Sequence, residues 1–338
     1  MNEVRLYRIG SDPEFVFGQT KEFVTMVVPA SDVVGGRELT AFIGTDGHPS
    51  TAELRPPPAH NIRRHLMDIG AALDMVDLVL KRQVKYPGLN MYAHPVIGSD
   101  PLGGHIHVSV FLNNLGAWCA QQANLMHNGS DFTFLDGRDA PNTADWSDRM
   151  REVITSYSQL AARREIFTSY TFGQVMSYLL RPFENWIQPW FSRAQRNGSY
   201  GGSDLDVRHT SSSKPKAPLF SEWAYYHFEY RIPSTWLTHP LLAYAYLSLT
   251  KLLMLNFTKV LPLALQAKLP PPNPNRGSYN DEWQAIFVTR LRALLALNPI
   301  ITNDIKQLET AIQTCSEQRE MWFTPGTPIQ VDAWRKLL

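Results

Sequence analysis

Cysteine is scarce in this chain: 338 residues hold two, Cys119 and Cys315. Two cysteines cannot build a disulfide framework, and they do not form a CxxC pair, so a reducing, cytoplasmic setting is expected. An excess of one charge is missing too. The 32 basic and 31 acidic side chains leave a formal charge of +1, which provides no broad field to grip nucleic acid or an anionic membrane. Long hydrophobic runs are also lacking. The most apolar stretch, LLAYAYLSLTKLLMLNF at 241–257, is broken by Ser248, Thr250 and Lys251 and is shorter than the roughly 20 apolar residues that cross a bilayer. A buried helix is expected there. The opening MNEVRLYRIGSDPEF has no basic start followed by an apolar stretch, so no export signal is expected.

What the chain does hold is 44% apolar and 11% aromatic residues with 19% charged, enough to bury a large core. At about 150 residues per domain its length allows two domains, and equally one large α+β unit. The first 58 residues alternate like strands in VRLYRI, FVTMVV and LTAFIG, with turn signals at Gly35-Gly36 and Asp46-Gly47. After Pro56-Pro57-Pro58, the positions Ile62, Leu66, Ile69, Leu73, Val76 and Leu80 step as one helix face. GGHIHVSVFL at 103–112 reads as a strand, followed by a helix-like segment around Leu115, Cys119 and Gln122. Helical propensity runs from Trp146 to about Leu180, and a loop rich in Gly and Ser fills 189–220. A last strand, WAYYHFEYRI, precedes a helical third with a proline-rich link at 270–274. Its helices carry Trp283, Ile286, Phe287, Leu291 and Leu294, then Ile305, Leu308, Ile312 and Cys315.

Residues two apart in a strand share a face, and sorting each strand this way separates apolar from chemically active side chains. Opposite Phe15 and Phe17 stand Asp12 and Glu14; opposite Ala52 and Leu54 stand Thr51, Glu53 and Arg55. His105, His107 and Ser109 oppose Ile106, Val108 and Val110, and Trp223, Tyr225, His227, Glu229 and Arg231 oppose the Tyr226, Phe228 and Tyr230 side. An antiparallel sheet with helices on one face would gather these groups on the other. Crowded carboxylates raise their pKa values or recruit a metal, and oxygen ligands with a histidine suit Mg²⁺ or Mn²⁺. Arg55 and Arg231 offer planar forks for carboxylate or phosphoryl oxygens. Each pattern alone also fits a solvated ion pair or satisfied sheet histidines. Their agreement on four strands favours a site. His48, His60, His65, His94 and His209 have no patterned neighbours and receive no role, and Trp186, Trp190 and Phe191 are expected to pack, not to stack on bases. Lys214 and Lys216 are read as solvated loop residues.

The order of these motifs resembles the glutamine synthetase and glutamate-cysteine ligase superfamily of carboxylate-amine ligases, and within it the phage-type amidoligases (type 2). The resemblance spans roughly residues 8–250. GSDPEF is similar to the superfamily's acidic first strand, DGHPSTAELRP to its second acidic strand, and GGHIHVS to its Gly-x-His-x-His-x-Ser strand. HFEYRIPSTWLTHPLLAYAYL resembles a Glu-x-Arg-x-Pro strand leading into a proline-started helix, and RNGSYGG a looser Asn-Ser-Tyr segment. The first acidic position is Asp12 where the family has Glu.

The resemblance implies an α+β fold: a curved, mainly antiparallel sheet forming a partial barrel, helices on one face and the site on the concave face. Residues 1–260 would be the catalytic domain and 261–338 a helical segment packed on it. It implies Asp12, Glu14, Glu53, His105 and Glu229 as ligands of Mg²⁺ or Mn²⁺, and Glu53, Arg55 and Arg231 as catalytic residues. His107, Ser109, Arg231, Arg196 and Tyr200 would lie by ATP. The implied reaction joins a carboxylate to an amine through an acyl phosphate. Substrates would be small molecules or peptides, with a modified nucleobase among the options. A guanidino-kinase-like phosphotransferase, a metal-dependent hydrolase and a non-catalytic nucleotide-binding relative stand as alternatives, and the oligomeric state stays open.

Overall fold

The computed structural model describes residues 4–21, 24–34, 42–45, 49–82, 84–97, 100–113, 175–188, 207–208, 223–231, 233–267, 281–297 and 303–337. One long strand, β1 (Val4–Lys21), organises the sheet. VRLYRI and SDPEFVF, which look like separate strands in the sequence, are continuous within it. Pro13, which has no N–H to give a ladder, sits where the partner changes. Up to Pro13, β1 pairs with β8 (Gly104–Asn113); from Glu14 onward it pairs with β4 (Thr51–Leu54), then with β5 (Asn90–Tyr92) and β2 (Val24–Val28). β8 pairs in turn with β10 (Trp223–Tyr230), β10 with β9 (Val207–Arg208), and β4 with β3 (Ile43–Thr45). A separate two-stranded sheet joins β6 (Val96–Ile97) to β7 (Asp100–Pro101), and all of these pairings are antiparallel. The chain is α+β, with a curled antiparallel half-barrel as its sheet.

The odd-numbered face of β1 carries Ile9, Phe15 and Phe17 into the main core. Helices cover that face. The stepped apolar residues form α2 (Ile62–Arg82), which follows the short α1 (Ala30–Val34) and buries Ile62, Leu66, Ile69, Leu73, Val76 and Leu80. Residues 175–187 form α3, buried on every side. The run at 241–257 becomes α4 (Pro240–Leu255), a core helix as expected from its broken hydropathy. Its start is well made. Pro240 occupies the first turn, where no N–H is needed, and His239 Nδ1 accepts the N–H of Leu241 at 3.1 Å. Burial pushes the His239 pKa down to about 4, which keeps the accepting nitrogen unprotonated at neutral pH.

α5 (Phe257–Gln266), α6 (Asp281–Ala296), α7 (Asn303–Trp322) and α8 (Val331–Arg335) complete the helical layer. Trp283, Phe287, Leu291, Leu294, Leu308, Ile312 and Cys315 are buried in the main core, as their spacing predicts. Trp186 joins them, its ring 5.5 Å from that of Phe287, so it packs. The expected turns at 35–36 and 46–47, the helix after β8, the helical stretch before residue 175, Trp190, Phe191, the loop lysines and the proline-rich link lie outside the described residues. Among the described residues, no helix is long and apolar enough to cross a membrane.

Candidate functional site

The even-numbered face of β1 carries Arg8, Gly10, Asp12 and Glu14, and cross-strand partners in an antiparallel ladder share a face. Glu14 stands opposite Glu53 of β4. Asp12 stands opposite His105 of β8, Gly10 opposite His107 and Arg8 opposite Ser109. On the far side of β8, His107 faces Glu229 and Ser109 faces His227, while Glu229 in turn faces Arg208 of β9. Thus Glu53, Glu14, Asp12, His105, His107 and Glu229 occupy one face of adjoining strands. The two β1 carboxylates sit where the strand hands over from one half of the sheet to the other.

Side chains tighten this arrangement around His105. Its Nδ1 lies 3.5 Å from Asp12 Oδ1 and its Nε2 3.7 Å from Glu14 Oε1, which places the imidazole between two carboxylates. His107 Nε2 is 3.1 Å from the same Asp12 oxygen. That oxygen is buried and has no hydrogen-bond partner of good geometry among the described residues. Glu14 and His105 are each only 1% exposed. Burial alone would raise the Asp12 pKa, but the two imidazoles outweigh it and hold the carboxyl well below the ordinary range.

Glycine makes room for this packing. An ideal Cβ on Gly103 would come within 2.3 Å of His105 Nε2, so the ring lies across a position only glycine can occupy. The Gly103 N–H donates to Glu14 Oε2, and the Glu14 N–H donates to the Gly103 carbonyl at 2.8 Å. The next glycine lets another segment approach. A Cβ on Gly104 would meet the Ser234 carbonyl oxygen at 2.4 Å and Trp236 Cδ1 at 2.6 Å. Both residues belong to the stretch that follows β10, and Thr235 Oγ1 donates to the Glu14 carbonyl at 2.7 Å.

Glu53 is nearly buried and accepts from Arg55 Nε at 2.8 Å. The Arg55 side chain is 52% exposed and packs across Gly44, where a Cβ would lie 2.2 Å from the guanidinium carbon. Arg231, just past β10, is half-buried. The backbones of Ser109 and Glu229 are on the site face, but their side chains, with all of Arg196 and Tyr200, lie outside the described residues. Among the described residues, no three His, Cys, Asp or Glu side chains form a group that could hold a metal ion. The donors that do converge, carboxylate oxygens with imidazole nitrogen, match a hard divalent cation in kind.

Two residues on this face escape the sequence reading. Arg8 shares the parity of Asp12 and Glu14 and would emerge if the two-residue sorting were carried back through RLYRIG. Arg208 belongs to a two-residue strand too short to show any period. Nothing in its sequence marks it.

No family model and no curated protein matches the chain. Solved structures of low identity resemble it in outline. One is the complex between the prokaryotic ubiquitin-like protein Pup and its ligase PafA, at 8% identity and a TM-score of 0.44, covering 94% of this chain and 64% of that one. Another is a bifunctional glutathione synthetase from Pasteurella multocida, at 10% identity and 0.40, covering 98% and 49%. A third, a novel glutamine synthase homolog, stands at 12% and 0.39, covering 100% and 71%. The chain thus spans less than two thirds of the first two structures.

Proposed function

We propose that the protein is an ATP- and Mg²⁺-dependent ligase that joins a carboxylate to an amine. The observation that carries this reading is the placement of Glu53, Glu14, Asp12, His105, His107 and Glu229 on one face of adjoining antiparallel strands. Support comes also from the buried, poorly satisfied oxygen of Asp12, which suits a cation better than it suits the imidazoles beside it. In this reading Asp12, Glu14, Glu53, His105 and Glu229 hold Mg²⁺ or Mn²⁺, and the phage-type amidoligases are the family. When bound, the metal offsets charge on the phosphoryl oxygens.

The chain's own part is to bind and orient. Arg231 holds the phosphoryl group or the substrate carboxylate with its planar fork, while Arg55, braced by Glu53, orients the acid at the exposed end of the site. His107, Ser109, Arg196 and Tyr200 border the nucleotide. The carboxylate attacks the γ-phosphorus, ADP leaves, and an amine then displaces phosphate from the acyl phosphate to give the amide. Positioning and charge supply the catalysis, with no protein nucleophile. Residues 1–260 carry the reaction and 261–338 brace them; acid and amine are small molecules or peptides, and the setting is cytoplasmic.

The test is incubation with Mg-ATP and pools of amino acids and amines, following ADP release and seeking by mass spectrometry a product one water lighter than its two reactants. Glu229→Ala should abolish ADP release with the circular dichroism spectrum unchanged. Full turnover in that variant would remove Glu229 from the ligand set. A phosphorylated product with no condensation would move the reading to a phosphotransferase.

A further inference from the structure

α3 is buried throughout, yet one stripe of it is polar. Ser177, Arg181 and Glu184, with Gln188 just past the helix end, are spaced four, three and four residues apart along one face and are each at most 1% exposed. That stripe meets the end of β10 in two places. Ser177 Oγ lies 3.2 Å from the Tyr230 hydroxyl, and Glu184 Oε1 accepts the Ser234 N–H at 2.7 Å. The two contacts stand seven residues apart on the helix and four residues apart along the chain that leaves β10. Arg231 lies between the two contacts.

Ser234 is also where the site strands are tied together. The Gly104 N–H donates to the Pro233 carbonyl at 2.8 Å and the Thr235 N–H to the Leu102 carbonyl at 3.0 Å. Trp236 Nε1 donates to the Gly104 carbonyl at 3.0 Å, and Thr235 Oγ1 to the Glu14 carbonyl. A shift of Ser234 therefore moves the backbone under Glu14, Gly104 and His105 together. From the helix side, this segment is held by Glu184.

A buried N–H must find an acceptor, and a carboxylate makes a bond roughly twice as strong as a neutral one. A buried carboxylate is itself costly unless opposite charge is near, and Arg181, three residues earlier on the same helix face, is buried as well. A core helix that needed only to pack would carry an apolar residue at 184. We propose that Glu184 is a positioning residue, which sets Arg231 and the Glu14–His105 contact by holding the peptide at Ser234. This rests on the ligase reading for its catalytic consequence, but not for its structural one.

The experiment compares Glu184→Ala and Glu184→Gln with Leu308→Ala, a buried residue of α7 that serves as a control for general loss of stability. Hydrogen exchange by mass spectrometry is read over residues 231–238 and 102–106, and ADP release gives kcat and KM for ATP. Glu184→Ala should speed exchange in both segments about tenfold or more, and Glu184→Gln about threefold, since an amide oxygen still accepts but without charge. kcat should fall about tenfold in the alanine variant with KM within about threefold, and recover in large part in the glutamine variant. Should the alanine variant fail to fold, the glutamine variant decides by the same exchange readout. Exchange at 231–238 no faster in the Glu184 variants than in Leu308→Ala would overturn the proposal. Wild-type protein without ADP release would instead overturn the ligase reading, and the exchange result would still judge Glu184.

Discussion

An ideal Cβ at Gly103 would come within 2.3 Å of His105 Nε2, and the imidazole it displaces is the group held between Asp12 and Glu14. The ring has little room to retreat, being 1% exposed. Gly103→Ala should therefore cost about 1–3 kcal/mol of stability, the usual scale of overpacking, while lowering turnover about a hundredfold or more. Urea unfolding and ADP release on the same preparation separate the two effects; normal turnover would show that the His105 position is not required. The residues behind this prediction were legible in the sequence to different degrees. Asp12, Glu14, His105 and His107 announce their common face because strands alternate with a period of two, and apolar neighbours mark the opposite face. Arg8 was legible by the same rule, but the apparent break before SDPEF hides it. Glu184 was not, since a polar stripe at helical spacing reads in sequence as a solvated face, and its partner is a backbone N–H fifty residues away.

α2 is fastened to β1 by a histidine that sequence patterning treats as ordinary. His65 Nδ1 lies 3.1 Å from the Pro57 carbonyl, which can only accept, so the proton of the neutral ring sits on Nδ1. Nε2 is then the acceptor for the Ser11 hydroxyl at 2.8 Å. Burial pushes the His65 pKa down to about 4, more than the Pro57 carbonyl raises it. In the unfolded chain the ring protonates near 6.5, so between those values the unfolded state binds more protons and stability falls as pH drops. The contribution is intact above about pH 6.5, and about 3 kcal/mol is lost on reaching pH 4. His65→Gln should be less stable at pH 7 and show a shallower decline between about pH 6.5 and 4.5, measured by urea unfolding at several pH values. An unchanged slope would mean that the ring is already charged in the folded state. At this scale helices are more legible than strands. The apolar steps of α2, α6 and α7 read directly, whereas the continuity of β1 through Pro13 depends on partners far away in the chain.

The whole molecule closes on its C-terminal segment. The Ile329 N–H donates to the Met91 carbonyl of β5 at 2.8 Å and the Gln330 N–H to the Thr238 carbonyl at 2.9 Å. Trp334 is fully buried, packs against Gly70 of α2 and donates from Nε1 to the Leu237 carbonyl at 3.0 Å. Arg335 binds Asp74 and Asp77 of α2. One core runs through all of this, since Phe15 and Phe17 belong to the same buried cluster as Phe287, Ile312 and Trp334. A helical segment that shares its core with the sheet has no reason to melt separately. The expected outcome is a single unfolding transition, with near- and far-ultraviolet circular dichroism coinciding. Trp334→Ala should move that transition as a unit and cost about 3–5 kcal/mol, the range for removing a large buried aromatic. A first transition that takes helical signal alone, leaving near-ultraviolet signal and the Glu14–His105 region protected from exchange, would show that 261–338 is dispensable to the sheet. A single shifted transition ties the site's rigidity to the last residues described, because α2, braced by Trp334 and Arg335, holds Ser11 through His65 and so the strand that carries Asp12 and Glu14.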